Sequence, residues 1–483
     1  MQEFYLCKVI YMPSETNFGV PHITDQVRLA VKEKLQLPPD AQPRVSFLGG
    51  PGDVFGTYEH WKQRRHDPRV PIITYSAQFF ELMSALDARA QVIVARQSTE
   101  IEDSQFRFDS VTRSPFQNRR EYFASERAYG DQVVEKINEF DPHIVIGATD
   151  FPSSHWSLLG KGRYFILSAH NTFWPRHRKP KDPKALVKQF LLRKHAKAID
   201  DAVCTSLECS KQISEVTLGR VNGLAEYPQM IEAYPWLKKG RARELLFLGR
   251  IEQNKGVFLL LEVFANLLRK YPELKLTFAG DGSAQSELQD RISEIGSNNI
   301  KFVGRLNSVE VHDAIANSDL MLCPTMTSFN EGLAVVGFEA AAHGVPTLLS
   351  SCVPALDYLG DGCIVFEADN IVSLENALER LVADPVWYQS KVSHLSSIRP
   401  AIYDRDKSWG SKLLQTFLRI ERDSFRHRYA AKRRFGFAQS NYRLSKRHNS
   451  ANAASDNSRP PVKTDRLSSA EIWASTASSL AKA

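Results

Sequence analysis

The amino-acid sequence predicts an α/β fold built on parallel sheets, and three observations support this class. Short apolar stretches alternate with stretches of helical periodicity along most of the chain. Three successive apolar stretches in the second half end in turns that contain glycine. The 483 residues exceed what one hydrophobic core usually accommodates, so two domains are expected. Because alternating strands and helices form parallel βαβ units, we expect ligands to bind at the carboxyl ends of the strands, near a topological switch point.

The first half of the chain supplies the strands of one expected domain. They are predicted at 4–12, 45–48, 92–95, 143–146, 164–167 and 201–205. Helical patterns at 74–82 and 120–140 lie between some of these strands. The strand at 164–167 runs into Ser168-Ala-His-Asn171, which places His170 at a strand end.

The second half repeats the pattern, and its strand ends carry charge. Strands are predicted at 245–248, 274–278, 300–303 and 320–323, with a helix at 257–270 after the first of them. Arg250 and Lys255 place two cations at the carboxyl end of the first strand, while Gly282 and Gly304-Arg305 follow the next two strands. We expect all of these residues on one edge of the sheet.

Two glutamates follow the strand at 320–323. Glu331 and Glu339 are eight positions apart, and a helix beginning near Gly332 would place their carboxylates on the order of 12 Å apart on one side of its axis. That separation is roughly the length of a sugar diphosphate plus its ribose. The backbone N–H groups of Gly332 and Leu333 would then lie in the first helical turn, where an anion can bind. In isolation such a pair is more often a helix-terminal charge and an exposed helix face.

These ordered motifs resemble the donor-binding half of the retaining group 1 glycosyltransferases with the GT-B fold. The matching segments are Gly249-Arg250 with Lys255-Gly256, 278–282, 302–304, 317–324 and 331–346. The resemblance implies two Rossmann-like domains that face a central cleft. With the break in apolar pattern at 238–243, it gives an acceptor-binding domain at 1–239, a donor-binding domain at 240–398, a helix at 399–425 that crosses back to the first domain, and a basic tail at 426–483.

The resemblance also implies a reaction. A hexose would move from a nucleotide diphosphate sugar to a glycan or a lipid-linked saccharide with retention of configuration, with no protein nucleophile, no metal and no cofactor beyond the donor substrate. Arg250 and Lys255 would neutralise the diphosphate leaving group. Glu331 would contact hydroxyls of the donor sugar, and Glu339 would hold the ribose hydroxyls.

The remaining donor contacts follow in the same way. The backbone after Gly332, including Leu333, would lie beside the donor, and the loops at Gly282 and Gly304-Arg305 would lie near the nucleotide base. His170 is the candidate for a histidine that reaches the donor sugar, with an ordinary loop histidine as the alternative.

Two segments depart from the family pattern and leave other functions open. Only Gly19 follows the first strand where the family has paired glycines, and 350–357 lacks the usual glycine pair and carboxylate. The alternatives are a catalytically silent GT-B homologue that binds or scaffolds, and another GT-B enzyme such as a nucleotide-sugar epimerase or a phosphorylase.

Basic segments indicate further partners. Residues 424–483 contain twelve Lys or Arg and three acids, whereas the whole chain has a net charge of +7. The Ser-, Ala- and Asn-rich composition predicts a largely disordered tail at 426–483, either a solvated extension or an anchor for anionic lipid or polymer.

The second basic segment, 176–197, has nine Lys or Arg around a helical pattern and a single acid, Asp182. Its apolar residues are Leu186, Val187, Phe190 and Leu191. A basic amphipathic helix of this kind can lie on an anionic membrane surface; in the alternative, its apolar stripe packs on the core while the lysines face water. We expect no nucleic-acid partner.

The expected location is the cytoplasm, with peripheral contact at the inner face of a membrane. The six cysteines form no C-x-x-C pair and are typical of reduced residues in a cytosolic protein. The first residues show no signal-peptide pattern, and the most apolar helical stretch, 257–268, is too short to span a bilayer.

Overall fold

The computed structural model of the protein describes residues 16–50, 52–95, 101–236 and 240–421. Within these residues the strands form two separate sheets, one in each half of the chain. The predicted strand at 4–12 and the predicted tail at 426–483 lie outside the described residues.

The first sheet lies between 44 and 225. Its strands are β1 (Arg44–Leu48), β2 (Arg89–Val94), β3 (Ile101–Glu102), β4 (Phe106–Ser110), β5 (Ile144–Ala148), β6 (Tyr164–Ala169), β7 (Asp201–Cys204) and β8 (Leu224–Ala225). Their spatial order is β3-β4-β2-β1-β5-β6-β7-β8, and all pairs are parallel except β3 with β4. In register, Val45 of β1 lies between Ala90 and Ile144.

Helices connect these strands and cover the sheet. They are α1 (Asp25–Lys34), α2 (Val54–Lys62), α3 (Tyr75–Ala85), α4 (Arg119–Phe140), α5 (Trp156–Leu159), α6 (Pro183–Ala196) and α7 (Leu207–Val216). All five residues of β5 are buried, as expected of a central parallel strand that is covered on both faces.

The second sheet is wholly parallel. Its strands are β9 (Glu244–Leu248), β10 (Lys275–Ala279), β11 (Ile300–Gly304), β12 (Leu320–Cys323), β13 (Thr347–Ser350) and β14 (Cys363–Phe366), in the order β11-β10-β9-β12-β13-β14. The helices of this half are α8 (Val257–Lys270), α9 (Gln285–Ile295), α10 (Ser308–Ala316), α11 (Val336–Ala342), α12 (Leu356–Leu359), α13 (Ile371–Ala383), α14 (Pro385–Ile398) and α15 (Trp409–Leu418).

Both sheets have the doubly wound order in which the strand sequence reverses next to the first strand. In the second sheet this reversal lies between β9 and β12. The residues that follow β9 and β12 therefore lie at the topological switch point, where open α/β sheets bind their ligands.

The last helix, α15, returns to the first half of the chain. It packs against α1, α3 and β7. Trp409 is 1% exposed and donates its indole N–H to Ser168 Oγ at 2.9 Å, while the backbone N–H of Gly410 donates to Gln78 Oε1 at 2.8 Å. The end of the chain's second half is thus fixed to the core of the first.

The predicted helix at 399–425 is wrong in its first part. Two 3₁₀ turns, Arg399–Tyr403 and Arg405–Lys407, precede α15, which begins only at Trp409 after the N-cap Ser408. The carbonyls of Ile402 and Lys407 accept hydrogen bonds from the backbone of Met230 and Tyr227. These carbonyls therefore pair with a distant segment.

The predicted strands that fall within the described residues are confirmed to within a few residues, and α8 has the predicted bounds. Strands β3, β4, β8, β13 and β14 were not predicted. None of the helices in the described part of the chain is long and apolar enough to cross a membrane.

Candidate active site

A lysine and a glutamate meet at the switch point of the second sheet. Lys255 ends a 3₁₀ turn after β9, and Glu331 lies in the loop after β12. The ammonium nitrogen of Lys255 is 2.5 Å from Glu331 Oε2, and the two side chains are only 16% and 11% exposed. Thr325 Oγ1 donates to the same carboxylate oxygen at 3.3 Å. In so sheltered a pair, removal of one partner leaves a poorly solvated charge.

An aromatic ring holds the two predicted cations together. The Phe329 ring centroid is 4.0 Å from Lys255 Nζ and 5.1 Å from the guanidinium carbon of Arg250. Arg250 also donates to Glu252 Oε1 at 2.8 Å. Both cations thus lie against one ring, and each is also paired with a carboxylate. Phe329 was not predicted as a site residue, and its place two residues before Glu331 gave no periodic signal.

The helix expected from Gly332 is wrong. The helix α11 begins only at Val336. Ala334 has a φ of 70°, a left-handed conformation that cannot form part of a right-handed α-helix. Gly332 and Leu333 therefore lie in a loop, and the backbone carbonyl of Leu333 accepts from the N–H of Ala355. The predicted separation of about 12 Å between Glu331 and Glu339 assumed a continuous helix from Gly332, so it no longer applies.

Glu339 is buried, which contradicts the alternative of an exposed helix face. It lies on α11 and is 5% exposed, and burial raises its pKa to about 7. Among the described residues no side chain or backbone group hydrogen-bonds to its carboxyl group. A buried carboxyl without donors is costly, and the hydroxyls of a ligand could supply them.

His170 lies just after β6, close to the Glu331 loop. A Cβ on Gly332 would overlap the backbone carbonyl of His170, so only glycine permits this approach. Thr172 Oγ1 donates to the backbone carbonyl of Glu331 at 3.1 Å. Burial lowers the pKa of His170, against the opposing effect of the nearby Asp150 carboxylate. The neutral imidazole is therefore favoured near pH 7.

Tyr75 contacts His170, Glu226 contacts Tyr75, and both residues were missed from the sequence. The Tyr75 ring stacks on the imidazole with centroids 4.9 Å apart. The Tyr75 hydroxyl donates to Glu226 Oε1 at 2.8 Å and is 2.9 Å from Thr205 Oγ1. Glu226 is fully buried, and burial raises its pKa to about 8, so the neutral acid predominates at pH 7.

A comparison with known protein families finds one match to this sequence. Residues 232–396 match the model described as "Glycosyl transferases group 1". This match covers about a third of the chain and assigns residues 232–396 to this family. The matched residues include β9 to β14 and the positions from Arg250 to Glu339.

Curated relatives match the chain over different lengths. An uncharacterized glycosyltransferase of Haemophilus influenzae is 23% identical over 295 residues, which cover 59% of this chain and 78% of the relative. A GDP-mannose-dependent monoacylated alpha-(1-6)-phosphatidylinositol monomannoside mannosyltransferase of Corynebacterium glutamicum is 28% identical over 143 residues. That second match covers 29% of this chain and only 37% of the relative.

Solved structures show that the fold is GT-B. Sucrose-phosphate synthase from Thermosynechococcus elongatus matches with a TM-score of 0.58 and 15% identity, covering 81% of this chain and all of that protein. Anabaena Alr3699/HepE, solved in complex with UDP and glucose, matches with a TM-score of 0.53 and 15% identity over 77% of this chain and 98% of its own. Both matches extend over the two sheets, so the predicted fold class is confirmed.

The loops predicted to lie near the nucleotide base lie together. The backbone N–H of Gly280 donates to the carbonyl of Gly304 at 2.8 Å, and that of Ile251 donates to the carbonyl of Asp281 at 2.7 Å. Arg305 is 3.6 Å from the Asp281 carboxylate, but its side chain is 78% exposed. The loop of Gly282 thus joins those after β9 and β11, while Arg305 points largely to solvent.

Ionic contacts join the two halves of the chain. Arg176, in the segment after His170, donates to Asp357 at 2.5 Å and to the carbonyl of Ser351 at 3.2 Å. Asp357 and Ser351 belong to the segment 350–357 that departs from the family pattern. In this protein the segment therefore binds the first domain.

Metal ligands were not expected at the site. Over the described ranges, no three His, Cys, Asp or Glu side chains are grouped as they would be around a metal ion.

Proposed function

We propose that the protein is a retaining glycosyltransferase that moves a hexose from a nucleotide diphosphate sugar to a glycan or lipid-linked saccharide, without a metal. The observation that carries the proposal is the convergence of Arg250, Lys255 and Glu331 at the switch point of the second sheet, beside His170 of the first. A cation pair next to a carboxylate matches the two ends of such a donor, since one end is a diphosphate and the other is a polyol.

Arg250 and Lys255 act on the leaving group. As the glycosidic bond breaks, negative charge grows on the diphosphate, and cations already fixed in place stabilise it without reorganisation. Phe329 holds both cations within 5.1 Å of one ring centroid. The charge of Lys255 is balanced by Glu331, so a bound diphosphate would share this lysine with the carboxylate.

Glu331, Glu339 and His170 bind the polar parts of the donor. Glu331 accepts hydrogen bonds from hydroxyls of the hexose, and the buried Glu339 accepts them from the ribose. His170, whose pKa is lowered by burial, contacts the hexose as a neutral imidazole. Domain 240–398 then binds the donor and domain 1–239 the acceptor, with the helix in 399–425 returning to the first domain.

The named relatives support the substrate class. The Corynebacterium mannosyltransferase is GDP-mannose-dependent and acts on a phosphatidylinositol mannoside, and HepE was solved with UDP and glucose. Uridine and guanosine diphosphate sugars are therefore both candidate donors. Biosynthesis of a glycoconjugate at the cytoplasmic face of a membrane is the proposed setting.

Nucleotide binding tests the proposal directly. Thermal unfolding is measured with UDP, GDP, ADP and their hexose conjugates, with and without magnesium. One diphosphate should stabilise the protein by about 2.7 kcal/mol at a hundredfold excess over its Kd, with no need for magnesium. Arg250→Ala should abolish this shift, whereas Arg291→Ala, which removes an exposed arginine of the same domain paired with Glu287, should keep it.

Three results would contradict the proposal. They are no shift with any nucleotide, a shift that needs magnesium, and a full shift in Arg250→Ala. Once the donor is known, NMR of the transferred anomeric proton distinguishes retention from inversion.

A further inference from the structure

Helix α6 has apolar residues on the side that faces away from the protein. Leu186, Val187, Phe190 and Leu191 are 55%, 60%, 68% and 43% exposed. The helix packs on the first domain through Ala196, which is fully buried, and Leu192. Viewed down the helix axis, with 100° between successive residues, the mean direction of the four exposed side chains is about 170° from that of Ala196 and Leu192. The alternative in which the apolar stripe packs on the core is therefore wrong.

Cations surround this outward stripe. Lys194 and the C-cap Lys197 lie within it, Arg193 borders one side, and Lys184 and Lys188 border the other. In the described structure none of these five side chains forms an ion pair, and α6 itself contains no acid. Three other cations of the segment, Arg176, Arg178 and Lys179, are paired with Asp357, Asp369 and Glu215. The unpaired charges are thus concentrated on the helix.

We propose that α6 is the surface by which the protein docks on an anionic phospholipid membrane. Four exposed apolar side chains on one side of a helix are unfavourable in water, because removal of apolar surface from water is favourable. Inserted at the boundary between headgroups and acyl chains they are covered, while the bordering lysines and arginine contact lipid phosphates. A zwitterionic membrane or an uncharged protein partner would cover the apolar side chains of α6 but would offer no anionic groups to its cations.

The position of α6 determines which part of the protein would face the membrane. The helix begins at Pro183, at the end of the segment that starts at His170. Within that segment Arg176 and Arg178 contact Asp357 and Asp369 of the second domain. Docking through α6 would therefore hold the rim of the cleft near the lipid. The docking itself does not depend on the proposed reaction, since it is measured without any donor.

Vesicle sedimentation of the full chain tests the proposal. The probes are vesicles of phosphatidylcholine alone and of phosphatidylcholine mixed with phosphatidylglycerol. The charge variant is Lys184→Glu with Lys188→Glu, and the apolar variant is Val187→Ser with Phe190→Ser. The charge control Arg269→Glu with Lys301→Glu makes the same change in net charge on exposed residues of the second domain.

The apolar control is Val309→Ser with Val386→Ser, which removes two valines that are 70% and 81% exposed in the same domain. Because a basic residue near an anionic surface is worth ~1 kcal/mol, the charge variant should bind the mixed vesicles about tenfold or more weakly. The apolar variant should also lose binding, and both controls should bind like the parent chain.

A second measurement reports insertion directly. An environment-sensitive dye on Phe190→Cys should shift to shorter wavelength with the mixed vesicles, whereas the same dye on Val386→Cys should not. Equal binding by the parent and both α6 variants would overturn the proposal and assign any vesicle binding to another segment, such as the basic tail. Equal binding to vesicles without anionic lipid would overturn it as well. Loss of self-association in the apolar variant, with vesicle binding unchanged, would instead make α6 an interface between copies of the chain.

Discussion

The hydroxyl of Tyr75 donates a 2.8 Å hydrogen bond to the buried carboxyl group of Glu226, although the two residues are 151 positions apart. The ring of Tyr75 also stacks on the imidazole of His170. A neutral acid inside the first domain is thus connected through one phenol to the cleft. The hydrogen bond to Glu226 restricts the orientation of the Tyr75 ring that stacks on His170.

Glu226 should make stability depend on pH. Its pKa is raised from 4.5 to about 8 in the folded protein. Between these values the unfolded chain releases the proton while the folded protein keeps it, so stability falls as pH rises from ~5 to ~8. Glu226→Gln should lessen this fall by a few kcal/mol, as measured by urea unfolding at both ends of the range. Glu262→Gln, on the exposed side of α8, is the control and should leave the fall unchanged.

The pair of Lys255 and Glu331 should matter for both turnover and stability. Lys255→Ala removes a cation from the leaving-group site and should lower kcat by ~10²–10³-fold. The same change leaves the sheltered Glu331 carboxylate without its partner and should cost ~3 kcal/mol or more of stability. Lys275→Ala, which breaks an exposed pair with Glu244, should cost no more than ~1 kcal/mol. Equal losses of stability in the two variants would show that Lys255 and Glu331 do not interact as described.

Phe329 should contribute to donor binding without touching the chemistry of transfer. Phe329→Leu keeps an apolar side chain but removes the ring over which Arg250 and Lys255 lie, at a cost of ~1–2 kcal/mol to their placement. We expect a Kd for the nucleotide diphosphate about tenfold weaker by calorimetry. The control is Phe258→Leu, since Phe258 makes a similar contact with Arg291 away from the cleft. A similar loss of affinity in the control would refute a local role for Phe329.

Glu339 should bind the nucleotide rather than select the sugar. Glu339→Ala removes the buried acceptor proposed for the ribose hydroxyls, so the Kd values of UDP or GDP and of their sugar conjugates should rise together, by about tenfold or more. The ratio of kcat/KM between two hexose donors should stay within about twofold. A change in that ratio with unaltered nucleotide affinity would move Glu339 to the sugar end of the site.

Removal of residues 426–483 should leave the fold intact. The contacts that fix the last described helix are made by Trp409, Gly410 and their neighbours, all before residue 422. The melting temperature and turnover with a soluble acceptor should match those of the full chain. Loss of folded protein on truncation would show that the tail packs on the domains.

The sequence predictions are accurate where local composition determines an element, and they fail where contacts with distant parts of the chain determine it. Strands such as β5 and β12 are continuous apolar stretches, so composition alone reveals them. The helix expected from Gly332 fails because Ala334 takes a positive φ, and no rule of periodicity predicts that in an alanine. The terminal helix begins later than predicted because the carbonyls of Ile402 and Lys407 accept hydrogen bonds from Met230 and Tyr227, which are distant in sequence.

Site residues divide in the same way. Arg250, Lys255 and Glu331 lie in short motifs at strand ends, where the α/β fold places ligand contacts, so their proximity could be expected. Phe329, Tyr75 and Glu226 act through contacts between separate elements, and the sequence shows nothing unusual at these positions. Glu339 was expected at the site, but its burial depends on packing around α11.

The return of α15 has a consequence for the order of events during protein synthesis. Trp409, Leu413 and Phe417 belong to the hydrophobic core of the first domain, together with residues of β1, β2 and α3. That domain emerges from the ribosome long before these three side chains exist, so its core remains incomplete until the whole second domain has been translated. A fragment that ends near residue 239 would expose the surface that they cover.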